Sequence, residues 1–241
     1  MMRRALLEIA VQDAAGARAA LANGADRVEL CQALASTGGL TPSAGAVEAV
    51  LETAGRGDRV AVLVRPRAGG FVYDAEEIAV TSADVRDVSR RGAGAVVVGA
   101  LTPDGGIDHE AVRRWRDAAG DAELVFHRAI DTLPDPAAVI DELAGLGVDR
   151  ILTSGGAVRS IDGAPAIARL VRASAGRLQI MSGGGVRIED IPALIAAGVD
   201  AVHLSARRPA QDRSPSGPGG GGAGHDVTDP ALVAGARSAL R

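Results

Sequence analysis

Short runs of β-branched residues alternate with alanine-rich segments of helical character along the whole chain. Each strand candidate is followed by a helix candidate, and Asp108 and Gly120 bracket one such helix, while Asp135-Pro136 and Gly147 predict the bounds of another. The strand candidates begin near Leu6, Asp26, Arg59, Gly94, Ala122, Asp149, Arg177 and Asp200. Eight regular units favour closure into a barrel over an open sheet. The sequence therefore predicts a single-domain α/β protein, a (β/α)₈ TIM barrel.

A weak internal repeat supports this count and assigns side-chain directions. Its copies, each a helix-ending glycine followed by a strand, are GADRVELC (24–31), GAGAVVVG (92–99), GVDRILTS (147–154) and GVDAVHLS (198–205). Side chains alternate along a strand, so the apolar set of repeat positions, in which Thr153 is the exception, should face the helices. The other set should point into the barrel: Glu29, Val97, Leu152 and His203, then Cys31, Gly99, Ser154 and Ser205. The same alternation turns Glu8 and His127 inward.

The chain divides into three parts. Residues 1–210 hold the predicted barrel. Residues 211–226 are rich in glycine, proline and serine, a composition typical of a flexible loop. Residues 227–241 form a final helix, with Asp229 as its cap and Pro230 at its first position, which we expect to pack on the barrel as its eighth helix.

Composition excludes several classes of function. The formal net charge of −4 gives no basic footprint for nucleic acid. All basic residues are arginines, which excludes a lysine Schiff base, and Cys31 is the only cysteine, which excludes an internal disulfide. No apolar run approaches the length of a membrane span, and the N-terminus lacks a signal-peptide pattern. We expect a cytoplasmic protein with neither nucleic-acid nor membrane partners.

Ionisable residues cluster where strands of the predicted barrel end. Glu8, Glu29, Arg65, His127 and His203 fall at inward or strand-end positions. Beyond the strand ends lie Arg67, Arg128 and Asp131. Buried ionisable groups are costly unless they are paired or functional. The cluster therefore indicates either a salt-bridge network in the core or a ligand pocket at the mouth, where barrel enzymes place theirs.

Glycine-rich turns follow two late strands of the predicted barrel. TSGG (153–156) contains Ser154, and SGGGV (182–186) contains Gly183, Gly184 and Gly185. Glycines allow backbone N–H groups to approach an anion closely, and barrels often bind phosphate after strands seven and eight. The alternative is that these glycines serve only to make tight turns.

A metal site is a further interpretation of the inward groups. Imidazole and carboxylate ligands suit zinc or copper(II), and the Cys31 thiol would suit copper. No histidine spacing supports a metal site, however. The residues equivalent to Cys31 in the repeat are Gly99, Ser154 and Ser205, so this position is also explained by a need for a small side chain.

Seven ordered motifs closely resemble those of the CutC family, known as copper homeostasis proteins. They are LEIAV (7–11), ADRVELC (25–31), GGLTPS (38–43), VRPRAGGFVY (64–73), FHRAID (126–131), ILTSGG (151–156) and IMSGGGV (180–186). The resemblance implies a TIM barrel, a cytoplasmic location, a role in copper homeostasis and a homodimer or higher homo-oligomer. The family's first motif commonly carries a cysteine where this chain has Ala10, which weakens a copper site built on paired cysteines, with Cys31 the remaining one.

Three hypotheses follow. The first is a protein that affects copper handling directly or indirectly, with Glu8, Glu29, His127, His203 and Cys31 as ligands to test. The second is an enzyme for a small phosphorylated or carboxylated substrate in the barrel mouth. Its anion would lie on Gly183, Gly184 and Gly185 with Arg65 as counter-charge, and its general acid/base would be His127, oriented by Asp131 or Glu29. The third is a non-catalytic scaffold whose pocket charges neutralise one another.

Overall fold

The computed structural model describes residues 4–210 and 224–240, and its central feature is a closed barrel of eight parallel strands in sequence order. The predicted fold class is therefore confirmed. The strands are β1 (Leu6–Val11), β2 (Arg27–Leu30), β3 (Val60–Leu63), β4 (Ala95–Val98), β5 (Glu123–Phe126), β6 (Arg150–Thr153), β7 (Gln179–Gly183) and β8 (Ala201–Leu204). Each begins within two residues of its predicted start.

The helices surround the barrel and connect successive strands. They are α1 (Ala14–Ala22), α2 (Leu34–Thr37), α3 (Ala44–Ala54), α4 (Ala75–Arg90), α5 (His109–Ala119), α6 (Ile140–Gly145), α7 (Ala164–Ser174), α8 (Ile191–Ala196) and α9 (Pro230–Ala239). Short 3₁₀ turns cover Gly57–Arg59, Arg128–Thr132 and Ile188–Asp190. No helix in the described ranges is both long enough and apolar enough to cross a bilayer.

Local signals explain where most helices begin. The side chains of Asp13, Asp108 and Asp229 accept backbone N–H groups at the starts of α1, α5 and α9. The predicted start at Asp135-Pro136 is wrong, because α6 begins only at Ile140. Asp135 instead organises a turn, in which its side chain accepts from the Ala137 N–H and its carbonyl accepts from the Ala138 N–H.

The core has two parts, as the alternation of side chains predicts. The apolar repeat positions pack between sheet and helices, together with Leu7, Ile9 and Phe126. The opposite positions fill the barrel interior: Cys31, Ala61, Leu63, Ala95, Val97, Val125, Leu152, Met181 and Ala201. The predicted inward and outward sets are therefore confirmed. Each set of equivalent repeat positions comes from alternate strands, which is how side chains form layers inside a TIM barrel.

The C-terminal segment adds a hairpin that the sequence reading missed. Strand β9 (Arg207–Pro209) pairs in antiparallel fashion with β10 (Asp226–Thr228), and α9 follows. Asp226 thus lies in a strand, whereas most of the predicted loop at 211–226 lies outside the described residues. Helix α9 packs through Val233 and Ala236 and follows β8, in the place of the eighth barrel helix.

Candidate functional site

A cavity of about 330 Å³ opens at the C-terminal ends of the strands. This volume suits a small metabolite. Seven of the predicted site residues line it: Glu29, Arg65, His127, Arg128, Gly184, Gly185 and His203. Apolar side chains from Leu34, Leu63, Phe71 and Leu152 complete much of the wall. The structure thus brings polar groups from β2, β3, β5, β7 and β8 into one mouth.

Two carboxylates flank the imidazole of His203 at the floor of this cavity. Its Nδ1 lies 2.8 Å from Glu8 Oε1 and its Nε2 lies 3.7 Å from Glu29 Oε2. Burial disfavours the imidazolium, but the charge of Glu29 and the hydrogen bond and charge of Glu8 outweigh it and raise the pKa of His203. Burial and the two carboxylates therefore act in opposite directions on His203, and the carboxylates favour its protonated form.

Below His203 an ion network continues along the barrel axis, made by residues that the sequence reading missed. Arg27 pairs with Glu8 and lies 3.0 Å from Glu123, which in turn lies 2.8 Å from Arg150. Burial opposes ionisation of Glu8, yet Arg27 and His203 hold its pKa well below the usual range. The repeat could have predicted the two arginines of this network, since Arg27 and Arg150 occupy equivalent inward positions two residues before Glu29 and Leu152.

Glu29 differs from Glu8 because nothing comparable compensates its burial. Its side chain makes no hydrogen bond within the described chain, and the one ion pair it makes there is with His203. Burial raises the pKa of Glu29 to about 7, with the negative charge of Glu8 adding to the rise and His203 opposing it. A carboxyl group with this pKa exchanges protons readily at neutral pH.

His127 is neutral and its tautomer is fixed. Its Nδ1 accepts the N–H of Ala129 at 3.2 Å, so the ring proton is on Nε2. Burial, with the charge of Arg65 adding to it, lowers the pKa of His127 to about 3. Neither Asp131 nor Glu29 bonds to the ring, so the expectation that one of them orients His127 does not match the hydrogen bonds.

Arg65 fastens two loops as well as lining the cavity. Its guanidinium donates to the carbonyls of Thr37, Gly39 and Gly69, and it lies over the ring of Phe71 at 5.1 Å. The Phe71 ring in turn covers His127, with 4.9 Å between ring centroids. Arg65 therefore holds the segment that forms the roof over His127.

Asp131 lies behind the cavity wall and organises the turn after β6. Its carboxylate accepts from Thr153 Oγ1, from the N–H groups of Ser154 and Gly156, and from Arg128 Nε. Ser154 accepts a second bond from Arg128 Nη2 at 2.9 Å. Asp131 and Ser154 thus aim Arg128 rather than touch a ligand themselves.

The glycine turn after β7 packs against that arginine. Gly184 has φ +114°, and a side chain there would come within 3.0 Å of the Arg128 guanidinium. Along residues 4–210 and 224–240, no protein acceptor meets the N–H groups of Gly184, Gly185 or Val186. Gly183 lies inside the barrel, where a side chain would strike Leu152. Arg128 Nη1, also without a protein partner, completes a set of donors at the rim.

The remaining predicted residues lie apart from the cavity. Arg67 pairs with Glu77 and donates to carbonyls of its own loop on the surface. The Cys31 thiol is fully buried beneath Gly39, and burial with the nearby charge of Glu29 raises its pKa far above the usual range. Among the described residues no three His, Cys, Asp or Glu side chains come together as a metal site.

This arrangement defines a (β/α)₈ barrel with a polar pocket at the mouth. The model of the CutC family matches residues 5–208, and the chain belongs to that family. A CutC family protein of Xanthomonas campestris pv. campestris is 44% identical over 204 residues, covering 84% of each chain. The human copper homeostasis protein cutC homolog is 39% identical over 203 residues, covering 84% of this chain and 73% of its own.

A solved structure supports the same assignment. The CutC copper homeostasis protein of Streptococcus agalactiae superposes with a TM-score of 0.76 at 33% identity, covering 83% of this chain and 98% of its own. Thiamine phosphate pyrophosphorylase of Pyrococcus furiosus reaches 0.60 at 14% identity, which shows the shared fold alone.

Proposed function

We propose that this CutC-family protein serves copper homeostasis without holding the ion itself, by binding and converting a small carboxylated or phosphorylated metabolite in the barrel mouth. The donor set at the rim carries the proposal. Arg128 Nη1 and the N–H groups of Gly184, Gly185 and Val186 line one side of the cavity without protein acceptors in the described chain. Unpaired N–H groups beside a guanidinium are a typical anion site.

Charge around the cavity supports an anionic ligand. Arg65 donates only to neutral carbonyls, so its positive charge is not compensated by a carboxylate within hydrogen-bond reach. Arg128 is half-exposed and shares Asp131 with four backbone or hydroxyl donors, while Arg207 pairs with Asp226. The rim is thus cationic, and the acidic groups lie deeper, at Glu29 and Glu8.

The copper that the human relative's name implies does not fit the residues present. Both nitrogens of His203 face carboxylates, and the Nδ1 of His127 accepts a backbone N–H, which leaves neither ring with a lone pair directed at a shared metal position. The Cys31 thiol is buried, and its raised pKa disfavours the thiolate that copper(I) needs. An indirect role in copper handling therefore agrees better with this donor set. The cytoplasmic location and the homo-oligomer stay predictions from the sequence.

Anion binding is tested by isothermal titration with inorganic phosphate and with a series of small mono- and dicarboxylates. We expect Arg128→Gln to weaken binding about tenfold or more, because a charge-assisted bond is lost. Gly184→Ala should do the same, since its methyl group would displace Arg128. Arg86→Gln, which changes an exposed arginine on α4, is the matched control and should bind as the wild type does. Equal affinity in all four proteins, or no binding in any, would contradict the proposal.

Copper binding is tested separately, by competition with a chromophoric copper(I) chelator under reducing conditions. We expect neither the wild type nor Cys31→Ser to remove copper(I) from the chelator. Stoichiometric uptake by the wild type that Cys31→Ser abolishes would show that the ion is held directly, and the indirect role would be wrong.

A further inference from the structure

Two buried groups at the cavity make no hydrogen bond to the described chain, and they are complementary, since one is an acceptor and the other a donor. The Glu29 carboxylate on β2 is 4% exposed and accepts no hydrogen bond. The Nε2–H of His127, at the end of β5, is buried and donates to nothing. Buried polar groups are nearly always hydrogen-bonded, so an acceptor without a hydrogen bond and a donor without a partner at one cavity indicate a ligand that meets both.

The placement of His127 is enforced from three sides. Ala129 holds its Nδ1, Phe71 covers its face, and Gly99 leaves room for its ring. A side chain at position 99 would come within 2.4 Å of Nδ1, so glycine is required there. The Nδ1–Cε1 edge is enclosed in this way, and His127 lines the cavity with the rest of its ring, on which the Nε2–H is buried and without a partner in the described chain.

Glu29 faces the same space from across the barrel. Strands β2 and β5 are three positions apart in a ring of eight, so their inward side chains approach the axis from nearly opposite directions. His203 lies against Glu29 and holds its carboxylate in place from the β8 side. A small ligand between the strands would therefore meet an acceptor at one end and a neutral N–H donor at the other.

We infer that the ligand is an anionic α-hydroxycarbonyl compound and that Glu29 and His127 catalyse its enolisation. This inference rests on the proposed function, because the substrate's phosphate or carboxylate would lie on the donor set of Arg128 and the glycine turn. The size of the cavity limits the substrate to a few carbon atoms beyond that anion.

The step balances without any further reactant. Glu29 takes the proton from the carbon next to the carbonyl, and the C–H electron pair becomes the carbon–carbon π bond of an enediolate. The carbonyl π electrons move to its oxygen, which accepts the hydrogen bond of His127 Nε2–H. Glu29 then returns its proton to the same carbon, which regenerates the substrate, or to the neighbouring carbon, while His127 Nε2 gives its proton to the former carbonyl oxygen and takes the proton of the adjacent hydroxyl, which gives the isomer. A neutral imidazole suits this electrophilic role, because it stabilises the developing oxyanion without first protonating the carbonyl.

Deuterium exchange tests the reaction directly. Dihydroxyacetone phosphate and hydroxypyruvate serve as probes, one with a phosphate and one with a carboxylate, each incubated with the protein in D₂O. We expect ¹H NMR to show loss of the C–H signal next to the carbonyl. Glu29→Gln should slow this exchange about 100-fold or more, and His127→Gln by about 10- to 100-fold. His109→Gln, a change on the surface, should exchange as the wild type does. All variants are purified identically from one host, so an exchanging contaminant would appear equally in Glu29→Gln.

An enediolate mimic supplies a second readout that does not depend on turnover. We expect phosphoglycolohydroxamate to bind the wild type about tenfold tighter than glycerol 3-phosphate, and His127→Gln to lose this preference. Anion binding without exchange of either probe, and without preference for the hydroxamate, would overturn the enolisation and leave the proposed function standing. Failure of every anion to bind would overturn both.

Discussion

The absence of one methyl group at position 99 decides where the imidazole of His127 lies. A Cβ on this residue would stand 2.4 Å from Nδ1 and 2.5 Å from Cε1 of that ring. We expect Gly99→Ala to destabilise the fold by about 1–3 kcal/mol, because the ring could give way only by losing the hydrogen bond from Ala129 and the contact with Phe71. Urea unfolding measures the loss. His127→Ala should remove most of the penalty in the double variant, and Gly70→Ala, which meets nothing within 4 Å, is the control. Equal losses in the single and double variants would show that the clash lies elsewhere.

The charge of His203 gives the second prediction at this scale. Burial lowers the pKa of His203, but the rise caused by Glu29 and Glu8 is larger than this fall. The ring should therefore titrate above 6.5 in NMR spectra of the imidazole. Since the folded pKa is raised, the stability that this group contributes is fully present below pH 6.5 and is lost as pH rises through the folded pKa. Glu8→Gln removes the hydrogen-bonded carboxylate and should lower the pKa of His203. The spectrum of His203→Gln assigns the signal, and an unchanged titration in Glu8→Gln would contradict the assignment of cause.

At the scale of elements, an aspartate in three of the four repeat copies bonds its strand to the strand before it. Asp26, Asp149 and Asp200 each accept the N–H of a residue in the preceding strand at 2.8 Å. The second copy has Gly94 instead, because the backbone of Asp58 lies where its side chain would begin. The repeat therefore specifies a strand and also a side-chain hydrogen bond, here called the joint, from the start of that strand to the preceding strand.

This joint predicts a measurable cost for losing one aspartate. Asp200→Ala leaves the buried N–H of Ile180 without an acceptor and should lower the free energy of unfolding by about 1–3 kcal/mol. Asp200→Asn keeps an oxygen at that position and should recover part of the loss. Asp162→Ala changes an exposed carboxylate that accepts no hydrogen bond from the described chain, and it should unfold as the wild type does. If Asp162→Ala lost as much as Asp200→Ala, the joint would not explain the effect.

How far sequence reasoning reaches depends on the range of the interaction involved. The period of two along strands and the caps at Asp13 and Asp108 are local, so strand count, side-chain direction and most helix starts could be predicted. The hairpin of β9 and β10 could not be predicted, because its two strands are distant in sequence and neither shows a strong alternation of apolar and polar residues. The role of Asp131 as the acceptor that organises the turn after β6 could not be predicted either, because only the closed barrel brings Thr153 and Ser154 next to it.

Across the whole molecule, one ion network joins the mouth to the opposite end of the barrel. From Glu29 it runs through His203, Glu8, Arg27 and Glu123 to Arg150. Local patterns could not predict this network, because its members come from five different strands and the pair of Arg27 on β2 with Glu123 on β5 spans three strand positions. Position along the axis also sets the chemistry: Glu8, beside Arg27, stays ionised, whereas Glu29, one layer higher, has its pKa raised to about 7.

Arg27 is the central member of this network, and its removal tests the whole. Arg27→Met keeps the bulk of the side chain but removes the arginine partner of the fully buried Glu8 and leaves it only His203, so the free energy of unfolding should fall by about 3–5 kcal/mol. Glu8→Gln in the same chain removes the carboxylate that lost its arginine partner, and the double variant should lose less stability than the two single variants together. Arg56→Met breaks an exposed pair with Asp58 and should leave the unfolding curve unchanged. Strict additivity in the double variant would mean that Arg27 supports the barrel by packing alone, and that the charges along the axis act independently.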